Sequence, residues 1–454
     1  VQTEKIMSRN IIAGLDIGTT KVCVLLAEVF RGKTKIINVG EAASEGLNRG
    51  LVANINRTAA AIKTAMTNAL ETAELTEDEI KNMRIYAGVA GEHINAMKHI
   101  NYVTIRNDEH EITVEDLERL RADIKLIEHP SDRKILHIIP IEYIIDGVKG
   151  FDDPIGNTGK KLEATSHIVF AATAALNNIK RSVERAGYIV ADYKLQPIAS
   201  SLSVLDENER DLGVCMIDIG GGTTDIAVFI NKSIRDTSVI GIAGNQVTND
   251  IRETLSIVTT EAERVKKQFG FATEEAIIKP DEEIFINRTG GRGMVKIPIT
   301  LLTQIIRARM KELFELIDRD LKKKGLKDKL TSGIVLTGGG SLLRGCDELA
   351  AEVFGIPTRI GIPLDESGKV GRPEYATVAG LILPFPGSAY NFKDEPIEQV
   401  GNSKVKETKA TKQEKPKKEK SKAKDLVDNI KLPNDFTDKM QALINKIKDF
   451  LNDI

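Results

Sequence analysis

Asp16-Ile17-Gly18-Thr19-Thr20-Lys21 and Asp218-Ile219-Gly220-Gly221-Gly222-Thr223-Thr224-Asp225 are two copies of one glycine-rich pattern, and they begin 202 residues apart. Each copy lies between two apolar, strand-like runs, at residues 11–15 and 22–26 for the first and 214–217 and 226–230 for the second. The glycines therefore lie in the turn of a β-hairpin, whereas a P-loop or dinucleotide fingerprint places them between a strand and a helix. The repeat predicts an α/β protein with two similar halves that close on one ligand.

Residue patterns elsewhere predict helices. An Ala-rich run predicts a helix over residues 58–75, and Thr76 with Glu79 forms a capping box for another. Apolar residues that recur every three or four positions between Leu302 and Leu321 predict a long amphipathic helix.

The chemistry of each hairpin predicts a phosphate-binding turn. Glycine permits a close approach of backbone N–H groups to phosphate oxygens. Threonine hydroxyls add hydrogen-bond donors, and Lys21 adds a positive charge. A carboxylate is tolerated beside phosphate only with a cation, so Asp16 and Asp218 predict Mg²⁺, held through its water ligands.

A third glycine cluster follows a short apolar run at residues 334–337. It consists of Gly338, Gly339 and Gly340, and we expect a helix from Leu342 onward. The backbone at these glycines could pass close beneath a ribose or an adenine. An ordinary glycine-rich turn between a strand and a helix explains this cluster equally well when it is considered alone.

Composition narrows the class of protein. The 454 residues suggest about three domains, and the hydrophobic content of 41% is enough for a buried core. Three scattered cysteines exclude a disulfide framework and a CxxC zinc site. No apolar run approaches the roughly 18–20 residues of a membrane span, and the first residues lack a signal-peptide core, so we expect a cytosolic protein.

Charge is concentrated near the C-terminus. Residues 404–424 contain ten Lys and three Glu, a local charge of +7, and because the whole chain carries −2, the remainder carries −9. An acidic body with only 4% aromatic residues and no Trp argues against nucleic-acid binding. The polar, Lys-rich residues 391–436 predict a disordered linker.

The last segment, residues 437–454, predicts an amphipathic helix. Its apolar side chains fall within an arc of about 120° on a helical wheel, and they are Met440, Leu443, Ile444, Ile447, Phe450, Leu451 and Ile454. The pattern alone allows a helix that docks on the body or on a partner, and equally one that lies on a membrane surface.

These motifs resemble the superfamily of actin, hexokinase and DnaK-type ATPases, and within it the FtsA family of bacterial cell-division proteins. The resemblance covers roughly residues 8–388 and the last helix. Its most specific stretches are residues 135–143 (ILHIIPIEY), 243–250 (AGNQVTND) and 334–341 (IVLTGGGS), together with the linking segments 196–201 (QPIASS) and 375–380 (YATVAG).

The resemblance implies an actin-like, two-lobed ATPase fold with duplicated ribonuclease-H-like halves and Mg-ATP between them. The implied nucleotide-binding residues are Asp16, Gly18, Thr19, Thr20 and Lys21 in the first loop, Asp218, Gly220, Gly221, Gly222, Thr223 and Thr224 in the second, and Gly244, Glu263, Lys266, Gly338, Gly339 and Gly340 around the nucleoside. Glu263 has an alternative explanation, because Thr260 and Glu263 also fit a helix capping box. Gln196 matches the residue that orients the attacking water, and glutamine is a poor base, so hydrolysis should be slow.

The resemblance also implies a division into subdomains. These are 1A (residues 8–90, 168–205 and the return 366–390), the inserted 1C (91–167), 2A (206–244 and 304–365), 2B (245–303), the linker (391–436) and the terminal helix (437–454). In 1C we expect strands over residues 101–106 and 135–145, the latter interrupted near Pro140, and a helix that begins at Thr113 with Asp116 as its N3 residue. The histidines of that stretch lack the spacing of metal ligands.

The implied function is to polymerise, to bind the C-terminal tail of the tubulin-like protein FtsZ through 2B, with Arg292 as a contact, and to anchor it to an anionic membrane surface. Subdomain 1C would contact neighbouring subunits and other division proteins. The protein would then lie on the cytoplasmic face of the membrane at the division site. A related pilus-assembly ATPase, or a small-molecule kinase with the same fold, remains an alternative.

Overall fold

A computed structural model of the chain describes residues 9–48, 50–287, 293–365 and 367–385. The strands in these residues are β1 Asn10–Ile17, β2 Lys21–Phe30, β3 Lys33–Ala43, β4 Leu47–Asn48, β5 Leu51–Val52, β6 Arg84–Val89, β7 Asn95–Thr104, β8 Arg133–Ile145, β9 Val148–Phe151, β10 Lys161–Ala172, β11 Val190–Leu195, β12 Val214–Ile219, β13 Thr224–Ile230, β14 Ser233–Ile240, β15 Glu283–Asn287, β16 Met294–Pro298, β17 Ile334–Thr337 and β18 Thr358–Ile360.

The helices in the same residues are α1 Ile55–Leu70, α2 Glu77–Lys81, α3 Val114–Lys125, α4 Thr173–Arg185, α5 Gln196–Val204, α6 Glu207–Leu212, α7 Gly244–Leu255, α8 Thr259–Phe269, α9 Ile299–Lys323, α10 Cys346–Phe354 and α11 Ala376–Leu381. Short 3-10 helices span Lys327–Lys329, Gly339–Leu342 and Pro373–Tyr375.

Two five-stranded sheets have the same topology, which confirms the predicted duplication. One has the order β3-β2-β1-β6-β11 and the other β14-β13-β12-β17-β18. In each sheet the first two neighbouring pairs are antiparallel and the last two are parallel. The central strands β1 and β12 are almost fully buried, so each half has its own core and presents its hairpin turn at the sheet edge.

A third sheet, β7-β10-β8-β9, forms the insertion. Helix α3 packs on one face of this sheet, where Leu117 and Leu120 meet Val103 and Leu162. Thr113 and Asp116 cap the helix as expected. The insertion therefore has a small core of its own.

Hydrogen bonds attach the insertion to both large sheets. The ring of His137 on β8 accepts the N–H of Leu195 on β11 at 3.0 Å. The ring of His167 on β10 lies 2.9 Å from the hydroxyl of Thr237 on β14. Both histidines are buried, so the insertion contacts an edge strand of each half.

Three expected boundaries are wrong, and local backbone geometry gives the reason for two of them. The first helix was expected over residues 58–75, but the observed helix α1 is Ile55–Leu70. It begins earlier because Asn54 caps its start. It cannot extend to residue 75 because Glu74 has a left-handed φ of 48°. The helix after the third glycine cluster begins at Cys346 and not at Leu342, because Gly345 has a φ of +77°. The strand expected over residues 101–106 is β7, which begins earlier, at Asn95.

The strand expected over residues 135–145 is β8, which begins at Arg133 and passes through Pro140, where a break was expected, to Ile145. Proline cannot donate a ladder hydrogen bond and is accommodated at a bulge, and the register between β8 and β10 shifts at this position. The bulge presents the carbonyl of Ile141 to the hydroxyl of Ser233 on β14, at 2.8 Å. The bulge thus supplies another contact between the insertion and the second half.

We predict that His167 makes stability depend on pH. Burial, with smaller effects of Lys98 and Lys324, lowers the pKa of His167 to about 4. Between this value and the unfolded pKa of about 6.5 the unfolded chain binds more protons, so the free energy of unfolding should rise with pH, by up to about 1.4 kcal/mol per pH unit. Urea titrations between pH 4 and 6.5 measure the free energy of unfolding. Its slope against pH should be smaller in His167→Gln than in the wild type, by up to about 1.4 kcal/mol per pH unit.

Thr237→Val is the matched control, because it removes the hydroxyl partner but keeps the histidine. This variant should retain the pH dependence of the wild type. An equal pH dependence in His167→Gln and the wild type would contradict the prediction.

Candidate nucleotide-binding site

The two glycine-rich hairpins have the same backbone geometry. In the first, the N–H of Gly18 donates to the carbonyl of Lys21 at 3.0 Å, and in the second the N–H of Gly220 donates to Thr223 at 2.9 Å. Both turns contain four residues between the last pairs of the two strands. The register therefore aligns Thr19 and Thr20 with Gly221 and Gly222, Lys21 with Thr223, and Cys23 with Asp225.

The tips of the two hairpins pack against each other. A Cβ atom added to Gly221 would clash with the hydroxyl of Thr20, and one added to Gly222 would clash with Thr19. The second copy therefore needs glycine where the first has threonine. This contact brings the phosphate-binding turns of both halves to one cavity.

The cavity has a volume of about 560 Å³. Among the residues expected at the site, those that line it are Asp16, Gly18, Thr19, Thr20, Lys21, Gln196, Asp218, Gly220, Gly221, Gly222, Thr223, Gly244, Glu263, Lys266, Gly338, Gly339 and Gly340. Thr224 is absent from the lining, since it is fully buried and its hydroxyl donates to the carbonyl of Ile242 at 2.7 Å. Arg292 and residues 391–454 lie outside the described residues.

Two helices that connect the halves hold Asp218. Ser200 on α5 donates to its carboxylate at 2.6 Å, and Thr377 on α11 donates to the same oxygen at 3.1 Å. The other carboxylate oxygen lies against Gly338, where a Cβ would clash with it. Gly338 has a φ of +80°, so both its conformation and its position require glycine.

Asp16 lies at the corresponding place in the first half. Its carboxylate accepts a hydrogen bond from the amide of Gln196 at 2.9 Å. Burial, and next the negative charge of Asp218, raise the pKa of Asp16 to about 7, while Lys21 opposes the rise. Burial likewise raises the pKa of Asp218, against its two hydroxyl hydrogen bonds.

Asp225 is a third aspartate of the cavity, and the sequence alone assigned it no role. It lies directly across the ladder from Asp218, on the same face of the sheet. Burial, followed by the charges of Asp218 and Asp16, raises its pKa. One of its carboxylate oxygens has no hydrogen-bond partner among the described residues. A cation in the cavity would relieve the repulsion of these three carboxylates.

The arrangement fits a cation that keeps its water ligands. Within residues 9–385, apart from the masked positions, no three His, Cys, Asp or Glu side chains are close enough to bind a metal directly. Mg²⁺ usually retains several waters and takes one or two carboxylates. Asp16 and Asp218 are suitable acceptors for such waters.

The capping explanation of Glu263 is wrong. Helix α8 begins at Thr259 with Val258 as its N-cap, so Thr260 lies inside the helix. Glu263 instead pairs with Lys266 at 2.7 Å and accepts the hydroxyl of Thr248 at 2.5 Å. The Lys266 ammonium is shared with the carbonyl of Gly244 at 3.0 Å. This network holds α8 against the start of α7.

The start of α7 also positions the second hairpin. The N–H of Gly244 donates to the carbonyl of Gly220 at 3.1 Å, and the N–H of Asn245 donates to Gly221 at 2.8 Å. The specific stretch at residues 243–250 thus fixes the hairpin backbone. The other lining residues that sequence reasoning missed are Glu41, Asn245, Lys267, Gly270, Leu342, Leu343, Arg344, Arg372, Pro373, Glu374 and Thr377. Asn245 and Thr377 lie in stretches 243–250 and 375–380, which carry the family resemblance, and this signal could have found them. The others come from separate elements and share no local motif.

Comparison with known proteins places the chain in a family. A model of "Cell division protein FtsA" matches residues 215–380, and a model of the "SHS2 domain inserted in FTSA" matches residues 91–170, which contain the insertion. The chain is 38% identical over 382 residues to the cell division protein FtsA of Pseudomonas aeruginosa, covering 83% of this chain and 90% of the relative. The chain belongs to the FtsA family.

Further relatives agree with this assignment. FtsA of Escherichia coli strain K12 is 36% identical over 389 residues, covering 83% of this chain and 91% of the relative. The protein is therefore an actin-like cell-division protein, as the family resemblance implied.

A solved structure supports the fold. The "PilM-PilN type IV pilus biogenesis complex" contains a chain that matches with a TM-score of 0.57 and 16% identity, over 82% of this chain and 97% of that one. At this identity the match shows a shared fold. In the part of the chain that the structure describes, every helix is too short or too polar to cross a membrane.

We predict that Gly380→Ala destabilises the site through the helices that hold Asp218. A Cβ atom at Gly380 on α11 would overlap the backbone of Ala199 on α5, so the two helices would have to separate. Overpacking of this kind costs about 1–3 kcal/mol, and urea denaturation should show a loss of this size. Gly371→Ala is the control, because its Cβ would meet no atom within 4 Å; equal stabilities of the two variants would refute the prediction.

Proposed function

We propose that the cavity binds ATP with Mg²⁺ between the two halves of the protein. The observation that carries this proposal is the pairing of two equivalent glycine-rich turns across one cavity that also contains Asp16 and Asp218. Backbone N–H groups and threonine hydroxyls at the turns suit phosphate oxygens. Gly338, Gly339 and Gly340 offer a side-chain-free surface to the nucleoside.

Magnesium would supply positive charge between the phosphates and the acidic residues. Asp16 and Asp218 would hold it through water, with Ser200 and Thr377 fixing the orientation of Asp218. Gln196 would orient a water molecule near Asp16, to which its amide already donates. An amide cannot accept a proton efficiently, so turnover should be slow and ATP should act mainly as an assembly switch.

We further propose that the protein polymerises and tethers FtsZ filaments to the cytoplasmic face of the membrane at the division site. The FtsA family membership supports this role. The FtsZ tail would bind subdomain 2B near Arg292, and 1C would contact neighbouring subunits and other division proteins. This role assumes the division into 1A (8–90, 168–205 and 366–390), 1C (91–167), 2A (206–244 and 304–365) and 2B (245–303), which we propose with it.

Membrane attachment would depend on residues 437–454. Their apolar arc would lie in the lipid interface, and the lysines of residues 404–424 would add attraction to anionic lipid of about 1 kcal/mol each when close to the surface. A single short helix binds weakly, but a filament carries many such helices, so avidity strengthens attachment.

The sequence relatives favour this function over the two alternatives. The pilus-assembly protein shares the fold at 16% identity, whereas the cell-division proteins are 36–39% identical over most of the chain. A small-molecule kinase would need a second pocket for its substrate beside the nucleotide.

Asp218→Ala should abolish Mg²⁺-dependent ATP binding while the protein stays folded, because the variant loses the carboxylate that orients the cation. Titration with a fluorescent ATP analogue, with and without Mg²⁺, measures this. Asp211→Ala, an exposed residue of the same half, should bind like the wild type. Unchanged affinity in Asp218→Ala would remove the second hairpin from the nucleotide site.

Phe450→Glu should release the protein from liposomes, because it replaces the one aromatic side chain of the apolar arc with a charge. Losing the burial of one large side chain weakens binding by about tenfold to a hundredfold. Flotation with neutral and anionic vesicles measures the bound fraction. Asn452→Glu adds the same charge on the polar side of the predicted helix and should have a much smaller effect. If Phe450→Glu still floats with neutral vesicles, the helix is not the anchor.

A further inference from the structure

Lys21, the cation of the first phosphate-binding turn, is held by two residues from other parts of the chain. Its ammonium forms an ion pair with the carboxylate of Glu41 on β3. It also lies over the ring of Tyr375, 4.1 Å from the ring centre, an attractive geometry for a cation and an aromatic face. Lys21 and Glu41 both line the cavity.

The three residues form one electrostatic unit at the cavity rim. Burial, and then the charge of Glu41, raise the pKa of Tyr375, so the tyrosine stays neutral beside the carboxylate. The side chains of Lys21 and Glu41 are 26% and 39% exposed. The ion pair is therefore accessible to an entering anion and is worth little in free energy, as is usual for pairs in contact with solvent.

We infer that Glu41 competes with nucleotide phosphate for the Lys21 ammonium and so lowers the affinity of the cavity for phosphate-bearing nucleotides. This inference rests on the proposed nucleotide site. The long, flexible lysine side chain can turn from Glu41 to a phosphate oxygen because its ammonium accepts partners in any direction. Glu41 then acts as a positioning residue that weakens binding, and the Tyr375 ring keeps the ammonium at the rim during the exchange.

The register of the two hairpins explains why a carboxylate partner like Glu41 occurs only beside the first turn. Lys21 aligns with Thr223 of the second hairpin, so only the first of the two turns contains a lysine. The exchange also contacts α11, since Tyr375 immediately precedes this helix.

The test compares wild type, Glu41→Gln, Lys21→Gln and the double variant, by calorimetric titration with a non-hydrolysable ATP analogue plus Mg²⁺ and, separately, with adenosine. Glu41→Gln should bind the ATP analogue about two- to fivefold more tightly, the range expected for release of one exposed ion pair. Adenosine affinity should not change, because adenosine has no phosphate. In the Lys21→Gln background the Glu41→Gln substitution should have no effect on either ligand.

Glu45→Gln is the matched control for a general change in charge, because Glu45 is exposed and outside the cavity lining. It should bind the ATP analogue like the wild type. The inference is overturned if Glu41→Gln weakens binding, if its effect extends equally to adenosine, or if the effect persists without Lys21. Failure of the wild type to bind any nucleotide would overturn the proposed function itself, and with it this inference.

Discussion

The carboxylate of Asp218 receives two hydroxyl hydrogen bonds, from Ser200 on α5 and from Thr377 on α11. These helices are the two connections between the halves of the protein, and they cross so closely that Gly380 has no room for a side chain. Both helices thus set the orientation of the Asp218 carboxylate. A movement of either half about these helices would change that orientation. A cation bound to the carboxylate would in turn favour one position of the halves.

The two halves have hairpin turns of the same backbone geometry but with different side chains. The turns share their length and their closing hydrogen bond, but the first has bulky threonines where the second has glycines. The first has Cys23 where the second has Asp225, so the second half supplies more negative charge. Of the two turns, only the first contains a lysine. Facing each other, the two turns present donors, a cation and acidic groups that neither turn provides by itself.

Much of the fold was predictable from the sequence because its key signals are local and repeated. The two hairpins, the long helix α9 and the capped helix at Thr76 follow from residue patterns within about 25 positions. The partners of Lys21 and Asp218 were not predictable, because Glu41, Ser200 and Thr377 meet them only after the chain folds. The start of α10 after Gly345, and the inability of α1 to continue past Glu74, depend on single left-handed residues, which periodicity does not reveal.

The central claim is that one nucleotide bridges both hairpins. Hydrogen exchange measured by mass spectrometry across a titration with Mg-ATP tests it most directly, since peptides covering residues 16–24 and 218–226 report the two turns separately. The account predicts that both peptides gain protection and that both reach half of their maximum at the same ATP concentration. Protection of one hairpin alone, or half-maximal protection at clearly different concentrations, would contradict it.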